Sequence, residues 1–161
     1  MKAEQPTKPE LLFRPDASFL KPWTGWGVLR DLRGRSVERF ECHGQAEASS
    51  RSATSTITYL YESGRVEKLV WNIVSDDEDH YFASELRGGV EGRGRPVGRD
   101  FRWVFQMPMP GKYGKLLTMT AVATYTLLSP STAMGVTKFQ LFGVTLRTMT
   151  AFFQHKADVA A

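Results

Sequence analysis

The chain has a single cysteine, Cys42, among its 161 residues, and this scarcity excludes an internal disulfide and a cysteine-based metal cluster. Long hydrophobic runs are also missing, because no stretch approaches the ~20 apolar residues of a membrane-spanning helix. Residues 1–10 are polar and contain lysines and prolines, and they lack the apolar segment of a secretory signal. We therefore expect a cytoplasmic protein without stable membrane insertion.

Charge of either sign is modest, with 21 lysines and arginines against 17 aspartates and glutamates, which gives a net charge of +4. Many of the arginines lie between Arg30 and Arg102, beside glycine or acidic residues. They do not form the basic stripe with interleaved aromatics that is typical of nucleic-acid binding. This pattern favours a solvated positive surface, with weak attraction to anionic lipid as a secondary interpretation and no nucleic-acid partner.

Motifs for catalysis, phosphate binding or metal binding are absent from the sequence. The glycines between Gly88 and Gly98 do not end in Gly-Lys-Ser/Thr, so they indicate kinks in curved strands and not a phosphate loop. The acidic run Asp76–Asp79 lacks the central glycine of a calcium loop. The histidines His43, His80 and His155 show no ligand spacing. We expect no metal and no cofactor.

The chain does contain many short segments that are rich in β-branched and aromatic residues and are separated by turn residues. They cover 25–32, 36–44, 53–62, 65–74, 81–86, 100–108, 116–128, 135–141 and 144–154. This spacing predicts an all-β barrel or sandwich of nine or ten strands. Leu11–Leu20 can hold one helical turn. We expect one domain over 11–155, with a disordered tail at 1–10 and a short tail at 156–161.

The most distinctive motif is Trp23-Thr24-Gly25-Trp26-Gly27-Val28 at the start of the first predicted strand. Such a Gly-Trp pair predicts that Trp26 plugs the closed end of a barrel, while the glycine lets backbone pass close by. Arg39 and Arg147 are candidates to pack over Trp26 in a cation–π contact. Arg39 is also a candidate to pair with the carboxylate of a ligand.

Further motifs follow this opening in order along the chain. They are Asp31, Gly34, Arg39-Phe40, Tyr61, Ser63-Gly64, Trp71, Tyr81, Gly89, Gly92, Gly98, Trp103, Pro108 and Phe142-Gly143-Val144. In this order and spacing, the chain from Phe19 to Phe153 resembles a bacterial lipocalin-like family, the domain of unknown function 3833. The resemblance implies a lipocalin/calycin-like antiparallel barrel of about eight to ten strands with an internal cavity.

The chain departs from the family pattern on its later strands. The family usually carries two acidic residues and a tryptophan where this chain has Ala123-Thr124-Tyr125. It usually carries Asn-Arg near Gly135-Val136 and a lysine at Leu141. Removing buried charges together avoids unpaired partners, which cost several kcal/mol each. We expect a more apolar interior here, with any change of function around Tyr125, Val136 and Leu141.

Aromatic and apolar side chains on the predicted strands are the candidates for a cavity wall. The predicted ligand-binding residues are Arg39, Tyr59, Tyr61, Trp71, Trp103, Phe105, Met119, Tyr125, Val136 and Leu141. Such residues suit either a pocket for one small ligand or a filled barrel core, and the sequence leaves both open. Glu85 and Glu91 are expected to face solvent, and Cys42 to be a small buried apolar group.

These patterns favour a protein that binds a small hydrophobic molecule of the fatty-acid, lipid, polyketide-like or isoprenoid class. The alternative is a cofactor-independent isomerase, cyclase or hydratase that works in the same cavity. Tyr59, Tyr61 and Tyr125 are then the catalytic candidates. A third hypothesis is a filled barrel that binds a protein partner, and a homodimer is compatible with the sequence.

Overall fold

A computed structural model describes residues 10–18, 20–76, 79–110 and 116–155. The predicted tails at 1–10 and 156–161 lie outside the described residues, except for Glu10. The elements are α1 (Pro15–Ser18), β1 (Trp23–Asp31), β2 (Ser36–Ser49), β3 (Ser52–Tyr61), β4 (Val66–Ser75), β5 (Tyr81–Glu85), β6 (Glu91–Val97), β7 (Asp100–Pro110), β8 (Leu116–Ser129), β9 (Thr132–Leu141) and β10 (Val144–His155). The strands form one closed antiparallel barrel. The prediction of an all-β, lipocalin-like barrel is confirmed.

Each strand pairs with the next one in sequence, and the barrel closes where β1 pairs with β10. Gly25 and Gly27 face inward at this seam. A Cβ atom on Gly25 would lie 2.7 Å from the carbonyl oxygen of Phe152, and one on Gly27 would lie 2.4 Å from that of Thr150. The two strands can approach this closely only because both residues lack a side chain.

The tryptophan of the opening motif does not plug the barrel, so this prediction was wrong. Trp26 is 50% exposed and stacks outside the barrel on Phe152, with ring centroids 6.5 Å apart. Side chains alternate along a strand, and the inward direction of the neighbouring glycines forces Trp26 outward. The inward tryptophan is Trp23, which is 4% exposed and packs edge-to-face on Phe153 at 5.1 Å.

The segment before β1 closes one end of the barrel. Phe13 is buried, stacks on Tyr125 with centroids 5.2 Å apart, and lies 6.2 Å from the ring of Phe101. Its backbone N–H donates to the carbonyl oxygen of Arg99 at 3.3 Å, and Glu10 forms an ion pair with Arg99 at 3.7 Å. We call this the closed end; it carries the β2–β3, β4–β5, β6–β7 and β8–β9 hairpins. The opposite end is the mouth end.

Candidate functional site

The barrel encloses a cavity of about 790 Å³. It extends from Phe13 and Phe153 at the closed end to Arg65 and Gly88 at the mouth end. Most of its wall is apolar, and its volume lies within the range of about 300–1,000 Å³ that is typical of small-molecule sites. The interior is therefore not filled by side chains. Of the two alternatives that the sequence left open, this favours a pocket over a filled barrel core.

Most of the predicted ligand-binding residues lie in this cavity wall. They are Tyr59, Tyr61, Trp71, Trp103, Phe105, Met119 and Tyr125. The structure does not bring the other three to the wall. Val136 follows the inward-facing Gly135 and so points outward, and the exposed Arg39 precedes the inward-facing Phe40 for the same reason. Leu141 is the last residue of β9, beyond the wall at the mouth end.

Several wall residues were missed by the sequence analysis. They include Ile57, Leu69, Phe139 and Phe153. The signal that finds most of them is the period of two along each strand, because Ile57 and Tyr61 must face the same way as Tyr59. Phe13 carries no such signal, since it lies outside the strands and reaches the cavity only through the fold.

Two tyrosine hydroxyls provide polar groups inside this apolar wall. Burial raises the pKa of Tyr59 well above its ordinary value, and interaction with Tyr125 and Cys42 raises it further. Burial, together with Cys42, raises the pKa of Tyr125 to about 12. Neither hydroxyl has a hydrogen-bond partner in the described part of the chain. Both therefore keep their protons at neutral pH and can donate to an oxygen of a bound molecule.

Tyr61 is committed to a different set of contacts. Its hydroxyl donates to Oε2 of Glu67 at 3.0 Å, and the guanidinium of Arg65 lies 3.7 Å from the centre of its ring. Burial raises the pKa of Tyr61, and the charge of Glu67 adds to this. Arg65 is also within 3.7 Å of carboxylate oxygens of Glu38 and Glu67. Of the three tyrosine candidates, Tyr59 and Tyr125 alone have hydroxyls without a protein partner in the described structure.

Arg147 places a positive charge at the mouth end of the cavity wall. It lies on β10 next to an irregularity in the pairing with β9, between Thr145 and Arg147. Among the described residues it has no ion pair, in contrast to Arg65, and it makes no cation–π contact with Trp26. An anionic group at the mouth would therefore meet an uncompensated cation.

Glu85 is buried at 5% exposure in the cavity wall, so the expectation that it faces solvent was wrong. Its carboxylate accepts hydrogen bonds from the backbone N–H groups of Val70 at 3.2 Å, Arg87 at 2.9 Å and Gly88 at 2.5 Å. Burial alone would raise its pKa, but these hydrogen bonds outweigh burial and the pKa is lowered. Glu85 stays ionised and holds the β5–β6 hairpin, which makes it a poor general base.

Replacing Glu85 with glutamine is expected to lower the free energy of unfolding at pH 7 by about 2 kcal/mol, because charge-assisted hydrogen bonds are lost from a buried site. The lowered pKa also sets a pH dependence. A carboxylate with a lower pKa in the folded state stabilises the fold above its unfolded pKa, and this stabilisation is lost as pH falls through the folded pKa.

Urea titrations from pH 7 to pH 3 measure both effects. Below about pH 5 the wild type should lose stability more steeply than Glu85→Gln. Glu91→Gln, on the exposed side of the same hairpin, is the control and should behave as wild type. If the free energy of unfolding fell equally with pH in wild type and Glu85→Gln, this carboxylate would not have the structural role assigned to it.

A closed antiparallel barrel around an apolar cavity defines a lipocalin-like barrel protein. The chain matches the family described as Protein of unknown function (DUF3833) over residues 1–155, and it belongs to that family. This confirms the resemblance drawn from the motifs. A comparison with curated proteins gave no match. No helix in the described ranges has the length and apolar character to cross a membrane.

Proposed function

We propose that this barrel binds a small hydrophobic molecule that carries at least one oxygen-containing group. The observation that supports this is the apolar cavity of about 790 Å³, whose wall contains Tyr59 and Tyr125, two hydroxyls without a partner among the described residues. Binding comes from burial of the ligand's apolar surface, at roughly 25 cal/mol per Å². Hydroxyl groups in a mostly apolar pocket then fix the orientation of the ligand.

The positions of the polar groups favour an elongated, amphipathic ligand. Phe13 and Phe153 pack against Tyr125 at the closed end, so the apolar part fits along the rest of the wall, which includes Leu69, Phe139 and Met149. A carbonyl, hydroxyl or ether oxygen accepts hydrogen bonds from Tyr59 and Tyr125. A terminal carboxylate or phosphate pairs with Arg147 at the mouth. Fatty acids, lipid fragments, polyketide-like molecules and isoprenoid acids all combine an apolar body with at least one of these oxygen-containing groups.

The two protonated tyrosines also favour a second candidate, a cofactor-independent isomerase, cyclase or hydratase. Hydroxyl donors aimed at a carbonyl oxygen stabilise the negative charge that develops there during reaction. The enclosing wall excludes water and holds a reactive conformer. This candidate uses the same cavity, and it differs from simple binding in that the released molecule is chemically changed.

Native mass spectrometry on protein purified from its own host tests the proposal. We expect a bound small apolar molecule, and we expect Tyr59→Phe combined with Tyr125→Phe to weaken its retention about tenfold, since each lost hydrogen bond contributes roughly 0.5–1.5 kcal/mol. Thr124→Val removes a hydroxyl one residue before Tyr125, at a position outside the cavity wall, and is the control. Protein that carries no molecule and takes up no apolar probe would contradict the proposal.

A further inference from the structure

The mouth end displays apolar side chains to solvent at each of its described hairpins. Leu32 lies in the β1–β2 turn, Val66 at the start of β4, Leu86 after β5, and Phe142 and Val144 at the β9–β10 turn. Phe142 is 87% exposed, and the other four are between 58% and 68% exposed. Exposed apolar groups gathered on one face of a protein usually mark a binding surface. We call these five residues the mouth tips.

The hairpins of the closed end have a different composition. Their exposed turn residues are Ser50-Arg51, Asp79, Gly98-Arg99 and Pro130-Ser131. Large apolar side chains at this end, such as Val97 and Leu128, are about half exposed and so are less exposed than the mouth tips. Among the described residues, the five most exposed large apolar side chains therefore all lie at the mouth end.

Phe142 is costly for the barrel at its position. It has a φ of +49° and precedes Gly143 with a φ of +77°, which is the backbone of a two-residue turn that favours Asn-Gly. A bulky side chain in this left-handed region is strained. Since the ring is also exposed, it contributes little packing to the fold. A contact made outside the barrel explains a phenylalanine at this turn.

Arginines lie next to the apolar tips. The pairs are Leu32-Arg33, Arg65-Val66 and Leu86-Arg87. Arg33 has no ion pair with a described carboxylate, and Arg87 has none at contact distance, although its charge acts on Glu85. Arg65 is paired with Glu38 and Glu67. Apolar side chains beside exposed arginines suit the interface of a bilayer that contains anionic lipid, where both groups find partners.

We propose that the mouth end docks on the surface of a bilayer containing anionic lipid, so that the cavity opens toward the membrane. The mouth tips enter the interface and the arginines meet lipid phosphates. A lipophilic molecule then passes between bilayer and cavity without crossing water. This last step rests on the proposed function, whereas docking itself rests only on the surface. Separate tips around an opening fit a fluid bilayer better than a flat protein surface.

Co-sedimentation with lipid vesicles tests the docking. The vesicles are made of phosphatidylcholine alone or of phosphatidylcholine mixed with phosphatidylglycerol. The variant combining Leu32→Ser, Leu86→Ser and Phe142→Asn should partition at least tenfold less onto the mixed vesicles. Phe142→Asn relieves the backbone strain, so lost binding would not reflect unfolding. The matched control combines Val97→Ser with Leu128→Ser at the closed end and should bind as wild type.

The arginines are tested by combining Arg33→Gln with Arg87→Gln. This variant should lose roughly fivefold in binding to the mixed vesicles for each arginine, and nothing on phosphatidylcholine alone. The proposal is overturned if wild type binds neither vesicle, or if the mouth-tip variant binds as wild type. It is also overturned if the mouth-tip variant and the closed-end variant lose vesicle binding to the same extent. The proposal is overturned as well if the mouth-tip substitutions leave vesicle binding unchanged and alter only self-association or the binding of another protein.

Retention of cis-parinaric acid from solution separates the two proposals, because this measurement needs no vesicle. If the wild type retains the fatty acid but does not bind vesicles, the docking proposal is wrong and the proposed function stands. If the protein binds vesicles through the mouth tips but retains no fatty acid or other apolar molecule, the proposed function is wrong and the docking proposal stands.

Discussion

Gly27→Ala is expected to lower the free energy of unfolding by about 3 kcal/mol, although it adds a single methyl group. The added Cβ atom would lie 2.4 Å from the carbonyl oxygen of Thr150 and 3.0 Å from the Cα atom of Ala151. Both atoms belong to the backbone of β10, so no side-chain rotation relieves the clash. The ring of Phe40, 2.5 Å away, blocks the remaining direction. The seam between β1 and β10 must open to admit the methyl group.

Urea titration at neutral pH measures this loss, and Gly34→Ala is the comparison. Gly34 has a φ of +78° and open space around its Cα atom, so alanine there costs only about 1 kcal/mol of backbone strain. Gly34→Asn should recover most of that cost, because asparagine tolerates this conformation. If Gly27→Ala lowered the free energy of unfolding no more than Gly34→Ala does, the strands at the seam would not approach as closely as described.

Ala123→Phe is expected to weaken the binding of an apolar probe at least 100-fold, that is, by roughly 2.7 kcal/mol. Ala123 is buried in the cavity wall between Trp103 and Thr137 of the adjacent strands. A benzyl ring at this position occupies the space that a ligand would take. The substitution adds apolar surface to an apolar cavity, so the barrel should unfold at an unchanged or higher temperature.

Fluorescence titration with cis-parinaric acid measures the binding, and thermal unfolding measures the fold. Val122→Phe is the matched control, since it adds a ring on the same strand outside the cavity wall. We expect it to bind the probe as wild type. Unchanged binding by a folded Ala123→Phe variant would show that the probe does not enter the barrel.

The strand pattern was predictable from the sequence, whereas the direction of particular side chains was not. Turn residues and a period of two located most strands, because both are local properties of the chain. Trp23 and Trp26 belong to the same strand, and the sequence alone does not say which one faces inward. The choice depends on Gly25, whose inward side is occupied by the ring of Phe153 from β10. This contact joins distant parts of the chain.

The same limit applies to the candidate site. Tyr59 and Tyr125 were predicted because buried aromatics with a polar atom are common in pockets. Val136 was predicted from the family pattern at that position, without the direction that the pleat of β9 gives it. Glu85 was expected in solvent because a carboxylate is seldom buried. Its burial depends on three N–H groups, two of them in the turn after β5.

The seam between β1 and β10 has a consequence for the order of folding. Every other pairing joins strands that follow one another in sequence and can form while the chain is being made. The seam must wait for Val144–His155, which leaves the ribosome after the other nine described strands. Until then, the backbone groups on one side of Trp23–Asp31 are unpaired, which is the usual starting point for aggregation between chains. Slow synthesis or truncation of β10 would therefore endanger β1 first.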